Sequence, residues 1–244
     1  LNYVFMEDEL GTHWNSKNDF SSMPLPEHIF TSGKVGSDFM SGAGYPLKNI
    51  DIVGGVRFAE IYNYKKQKSN KIDLRIKYDL PLDKSIIFAP TSLFVDETIN
   101  MLDSLIFSIK EKQKEYFLIL KCHPASNSKL FARKIDHYLD SNWDSSSYCF
   151  IAQSINTYDY ILLSDLSVFL GGSLAIEALL LGERPLVYLP SSNFSHNPIS
   201  DYLDTVRYAF DRNSMKKEIN SLNSQHKSSN HLQVVNDMFN DLNE

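Results

Sequence analysis

The sequence predicts an α/β fold, a doubly wound Rossmann-like parallel sheet, on three observations. From Lys84 onward, short apolar runs alternate with longer segments whose apolar residues recur at helical spacing. The runs are apolar throughout rather than alternating, as expected of strands covered on both faces. Several of them stop at a turn-forming residue: Pro90, Pro124 after His123, and the Gly171-Gly172 pair. Such alternation joins parallel strands through helices packed on the sheet.

Taken in order, Tyr3 to Met6 reads as a short strand running into the acidic cluster Glu7-Asp8-Glu9. Residues 12 to 27 are polar, contain Pro24 and Pro26, and read as loop. Ile29-Phe30 begins a second strand, Ser37 to Ser41 a single helical turn, and Ile50 to Val53 a third strand. Tyr62 to Lys77, rich in Lys, Asn and Gln, reads as a solvated connector or helix. Ser85 to Ala89 is a strand. A helix of about 18 residues follows it, with Ile99, Leu102, Leu105, Ile106 and Ile109 on one face. Next come a strand at Tyr116 to Leu120, a helix at Leu130 to Leu139 and a strand at Tyr148 to Ile151. A helix at Asn156 to Leu163 leads to a strand at Leu166 to Leu170. Ser173 to Leu181 is a helix closed by Gly182, Leu186 to Leu189 a strand, and the tail from Asp211 helical and polar.

Composition narrows the function classes. With 43% hydrophobic and 22% charged residues, the chain has the means to build a packed core. A net charge of −6 argues against nucleic acid as a partner. No apolar run approaches the roughly 20 residues needed to span a bilayer, and Leu1 to Phe5 is too short for a signal peptide. A cytoplasmic protein is expected. Association with the inner face of the membrane stays open, although no basic amphipathic helix argues for it. Cys122 and Cys149 lie in or beside apolar runs without Cys-x-x-Cys spacing and read as buried free thiols. The seven His are scattered, so no metal is expected.

The candidate chemistry gathers at strand ends. In doubly wound sheets ligands bind beyond the carboxyl ends of strands, and three segments fall there. Gly171-Gly172-Ser173 lets the backbone approach an anion at a helix start, where Ser173 either caps the helix or binds a phosphate. Glu177, one turn on among Leu174, Ala175, Ile176, Ala178 and Leu179, is a lone carboxylate that needs a partner or a sugar hydroxyl. His123, stiffened by Pro124, can donate to a phosphate or simply bond a neighbouring carbonyl. Thr91 and Ser92 offer hydroxyls at the same rim or serve as a plain connector. Glu7 or Asp8 is the candidate general base, the alternative being a solvated acidic turn. Arg57 is a candidate for an acid or phosphate partner, and His196 and Asn197 read as surface loop.

Lys121-Cys122-His123-Pro124, Ser164-Asp165, Gly171-Gly172-Ser173 with Glu177-Ala178, and Gly182 with Pro185 occur in an order that resembles a known pattern. It is that of the carboxyl-terminal, donor-binding half of GT-B glycosyltransferases of bacterial capsule and lipopolysaccharide synthesis. Residues 26 to 58 look like the crossover between the two domains of such enzymes. Glu7-Asp8 with Gly11, His123-Pro124 and Ser173 resemble the marks of bacterial sialyltransferases and polysialyltransferases. Here, however, Glu9-Leu10 separates the acids from Gly11, and Gly172 takes the first place of the serine pair.

The resemblance implies residues 1–60 as the end of an acceptor-side domain and 61–244 as a nucleotide-sugar-binding domain. It therefore also implies a partial form of a longer enzyme. It implies sugar transfer from a nucleotide-activated donor, CMP-linked by preference, to a glycan acceptor, with no cofactor beyond the donor. A UDP-sugar epimerase, a polyol-phosphate transferase and a non-catalytic nucleotide-binding module are the alternatives.

Overall fold

The computed structural model describes residues 26–55, 58–66, 70–152, 155–190 and 205–221. The described residues up to Lys66 form one unit and those from Asn70 onward a second.

In the first unit, β1 (Ile29–Thr31) and β2 (Ile50–Ile52) pair in parallel, Ile29 opposite Ile50. The helix between them, α1 (Lys34–Gly42), is longer than the single turn expected, because Ser37 and Met40 have a surface to bury against. Met40, Tyr45 and Ile50 form a small core. The Tyr45 hydroxyl donates to the Pro26 carbonyl. After β2, α2 (Ala59–Lys66) follows the buried Phe58 and buries Ile61.

The second unit opens with α3 (Lys71–Lys77), capped by Asn70, whose side chain accepts from the Ile72 N–H. Six parallel strands follow, with their helices: β3 (Ser85–Pro90), α4 (Val95–Ile109), β4 (Tyr116–Lys121), α5 (Ser128–Asn142) and β5 (Tyr148–Ile151). The run continues through α6 (Thr157–Leu163), β6 (Leu166–Phe169), α7 (Ser173–Leu180), β7 (Leu186–Tyr188), β8 (Arg207–Ala209) and α8 (Arg212–Asn220). The spatial order is β5-β4-β3-β6-β7-β8. Counted from β3 as first, that is 3-2-1-4-5-6, the Rossmann order, and its switch point lies between β3 and β6.

Strand periodicity divides the core. Ile87, Ala89, Leu118, Leu120, Val168, Leu186, Tyr188 and Ala209 face the layer of α4, α5 and α8, against Leu102, Leu105, Ile135 and Met215. Phe88, one residue out of phase, turns to the other layer, its ring 6.1 Å from Tyr160 of α6. The strands are mostly apolar on both faces because both faces are covered.

Of the two readings of Tyr62 to Lys77, solvated connector or helix, the structure bears out the helix: the stretch holds the end of α2 and all of α3, and α3 buries Leu74 and Arg75. Arg75 Nε donates to the Leu163 carbonyl (3.0 Å) and Nη2 to Asp165 (2.6 Å). Strand β8 was not foreseen: Arg207-Tyr208 interrupts its apolar run.

Candidate functional site

The switch point is built from the strand ends that flank it. From β3 the chain leaves through Pro90, Thr91 and Ser92, and from β6 through Leu170, Gly171 and Gly172 into α7. Strand β4, beside β3 in register from Ser85↔Tyr116 to Pro90↔Lys121, delivers His123 to the same edge. The rim thus brings together Thr91, Ser92, His123, Pro124, Gly171, Gly172 and Ser173. Glu7 and Asp8, with Arg57, His196 and Asn197, lie outside the described residues.

Hydrogen bonds fix the position of His123. Thr91 N–H donates to the Lys121 carbonyl (2.9 Å), and Thr91 Oγ1 accepts from the His123 N–H (3.2 Å). The turn begun by Pro124 closes with Ser126 N–H and Oγ both donating to the His123 carbonyl. On the ring, Nδ1 accepts from the Ala125 N–H at 3.1 Å. A neutral imidazole so held carries its proton on Nε2, making that nitrogen the donor. The sequence left Thr91 as a donor contact or a plain connector; here its hydroxyl oxygen positions His123. Ser92 is likewise engaged in its own turn: its hydroxyl donates to Glu97 and accepts from the Phe94 N–H at 3.1 Å.

The glycine turn has the backbone only glycine tolerates. Gly171 has φ +94° and Gly172 φ +81° with ψ −175°. Gly172 is the N-cap of α7, and Ser173 the first helical residue, so Ser173 is not the cap the sequence allowed for. A glycine N-cap offers no side-chain oxygen to the first-turn N–H groups, which have no intrahelical acceptor. They carry the positive end of the helix dipole.

Beneath this rim lie two buried charges, Glu177 and Lys121, each 8% exposed. Lys121 Nζ donates to the Ile155 carbonyl (2.6 Å) and to Thr157 Oγ1 (2.5 Å), which ties β4 to the start of α6. Burial pushes the Lys121 ammonium down from its usual value, and the negative charge of Glu177 opposes that shift. Strand alternation puts Lys121 on the face of Ile119, where Thr157 of α6 receives it. Its service as a counter-charge to Glu177 was missed, since the two lie 56 positions apart in sequence.

Asp165, part of the sequence pattern, stands at the opposite end of the sheet. It precedes β6, its Oδ2 accepts from the Ile86 N–H (2.7 Å) and from Arg75, and its Oδ1 lies 3.3 Å from Lys71 Nζ. Burial would raise its pKa. The Ile86 N–H, Lys71 and Arg75 outweigh that and hold the carboxyl below the usual carboxylate range. Its work is structural.

Cys122 and Cys149 are free thiols, the first buried and the second half-buried. Burial pushes the Cys149 thiol up to about 11. Among the described residues no helix is long and apolar enough to cross a membrane.

No family model and no curated protein matches the chain. Solved structures do. One is the UDP-GlcNAc 2-epimerase of Methanocaldococcus jannaschii in complex with UDP-GlcNAc and UDP, at 12% identity and TM-score 0.62, covering 83% of this chain and 56% of that one. A glycosyltransferase from Rickettsia africae matches at 12% identity and TM-score 0.61, over 96% and 64% of the two chains. The wall teichoic acid polymerase TagF matches at 16% and 0.57, over 88% and 54%. The chain spans between about half and two thirds of the length of these proteins. Their folds are GT-B glycosyltransferase-like, and the likeness establishes for this chain the Rossmann-like α/β fold.

Proposed function

We propose that the chain is the donor-binding part of a glycosyltransferase, taking a nucleotide-activated sugar at the β3/β6 switch point. The observation that carries this reading is the convergence there of a glycine-capped helix start and a histidine of fixed tautomer. Ligands of Rossmann sheets bind at this crevice, and both groups suit a phosphate. The UDP-GlcNAc 2-epimerase and the glycosyltransferase that share the fold support it.

In the proposed reaction an acceptor hydroxyl attacks the anomeric carbon and the bond to the nucleotide phosphate breaks. His123 Nε2–H and the first-turn N–H groups of α7 meet the charge that develops on the leaving phosphate. The helix end contributes about 0.3–2 kcal/mol. Glu177 accepts from the donor ribose, its charge balanced by Lys121. Glu7 or Asp8 takes the acceptor proton. A CMP-sugar donor and a bacterial surface glycan acceptor complete the proposal, on the sequence resemblance alone. Residues 1–60 then belong to the acceptor side and 61–244 to the donor domain.

Calorimetric titration with CMP, CDP, UDP and GDP tests this. One nucleotide binds selectively, and His123→Ala weakens it by about 10- to 150-fold, the loss of one charge-assisted hydrogen bond. Selective binding of UDP replaces the cytidine donor with a uridine one. Affinity for a nucleotide that His123→Ala leaves unchanged overturns the site.

A further inference from the structure

A second feature of the unit lies at the amino-terminal ends of β7 and β8, the opposite end of the sheet from the crevice. Arg207, the first residue of β8, is 6% exposed. Its Nη1 is buried with no hydrogen-bond partner, the one such side-chain atom among the described residues. Its backbone is fixed: Arg207 N–H donates to the Pro185 carbonyl at 3.0 Å, and Arg207 stands opposite Leu186 in the ladder. That bond brings the neighbouring Arg184, an exposed residue, alongside.

The charge of Arg184 therefore acts on Arg207. Burial pushes the Arg207 guanidinium down from its usual value, Arg184 pushes it the same way, and Glu218 of α8 opposes both. The orphan Nη1 thus belongs to a buried cation that feels a second one nearby. An unsatisfied N–H on a buried charged group costs more than any other orphan donor, and an anionic acceptor removes that cost. Arginine's planar fork matches tetrahedral and planar oxyanions.

We propose that Arg207 and Arg184 form a binding site for a phosphate-class oxyanion, separate from the switch-point crevice. Arg207 supplies the fixed inner donor, and Arg184, at the surface, the entry and second donor. The site is independent of the function proposed above.

Thermal unfolding with inorganic phosphate, at constant ionic strength held with chloride, tests it on the whole chain. The wild-type chain gains a saturable rise in Tm. Arg184→Gln, an exposed change that leaves the fold intact, weakens the apparent phosphate affinity at least about tenfold, the equivalent of one charge-assisted hydrogen bond. Arg207→Lys, which keeps the charge but loses the fork, weakens it too. His123→Ala leaves the Arg184-dependent part of the rise unchanged. No saturable rise, or a rise retained by Arg184→Gln and lost in His123→Ala, overturns the proposal, the latter by placing the phosphate in the crevice.

Discussion

Replacing Asp165 by Asn keeps the shape of the side chain and removes its charge. The carboxylate serves three groups: the Ile86 N–H at 2.7 Å, Arg75 Nη2 at 2.6 Å and Lys71 Nζ at 3.3 Å. An amide oxygen in the place of Oδ2 keeps the Ile86 and Arg75 bonds but strips both of their charge assistance, and the NH₂ then faces Lys71. Hydrogen bonds to charged groups contribute about 1.5–3 kcal/mol each. Asp165's side chain is 38% exposed and Lys71's equally so, which discounts the lysine contact to little. Arg75, 9% exposed, keeps its bonds to the Leu163 and Lys84 carbonyls. The net expectation is a loss of about 2 kcal/mol at pH 7. For a unit of this size that lowers Tm by about 4–8 °C.

The pH dependence carries the sharper test. The folded carboxyl titrates below its unfolded value of about 3.9. Its stabilisation is therefore complete above that value and lost as pH falls through the folded pKa. Urea unfolding of both proteins from pH 7 to pH 3 should show the gap between them constant down to about pH 5 and closing below it. Nucleotide affinity of the folded variant stays at the wild-type value, because Asp165 stands at the far end of the sheet. A gap that does not change with pH refutes the charged clamp.

Other expectations follow from single residues. Gly172→Ala places a Cβ where nothing lies within 4 Å, so its cost is backbone strain alone, about 1–3 kcal/mol by urea unfolding. Gly42→Ala, at the end of α1 with an ordinary backbone and equally open space, stabilises its unit by about 0.5–1 kcal/mol. Leu105→Ala, fully buried on α4, costs about 2–5 kcal/mol. With its thiol raised to about 11, Cys149 resists alkylation at pH 8 in the folded chain and reacts on unfolding, as mass spectrometry after a timed quench would show.

Much of the second unit was legible because the strands from Ser85 to Tyr188 are predominantly apolar runs and the helices between them carry apolar faces. The strand order was not: that β3 and β6 are neighbours is written in pairs such as Ile87↔Leu166, 79 positions apart. Buried arginines hid the rest: β8 went unread, and the helix over Tyr62 to Lys77 stayed one of two alternatives. Strand β8 carries Arg207, which reads as polar yet is buried, and α3 carries Arg75, buried because three carbonyl or carboxylate partners receive it. At the rim, residue types were readable but their employment was not. Thr91 and Ser92 spend their oxygens on holding the chain, which only the position of the His123 and Phe94 N–H groups decides. Likewise the cap of α7 falls on Gly172 rather than Ser173 because the turn's two positive φ angles end one residue earlier.

The most direct test of the central claim is a crystal structure of the chain grown with the nucleotide that titrates. The account predicts a phosphate within hydrogen-bond distance of His123 Nε2 and of the first-turn N–H groups of α7, with the ribose toward Glu177. A nucleotide bound away from the β3/β6 crevice, or there with its phosphates turned from His123 and α7, contradicts it.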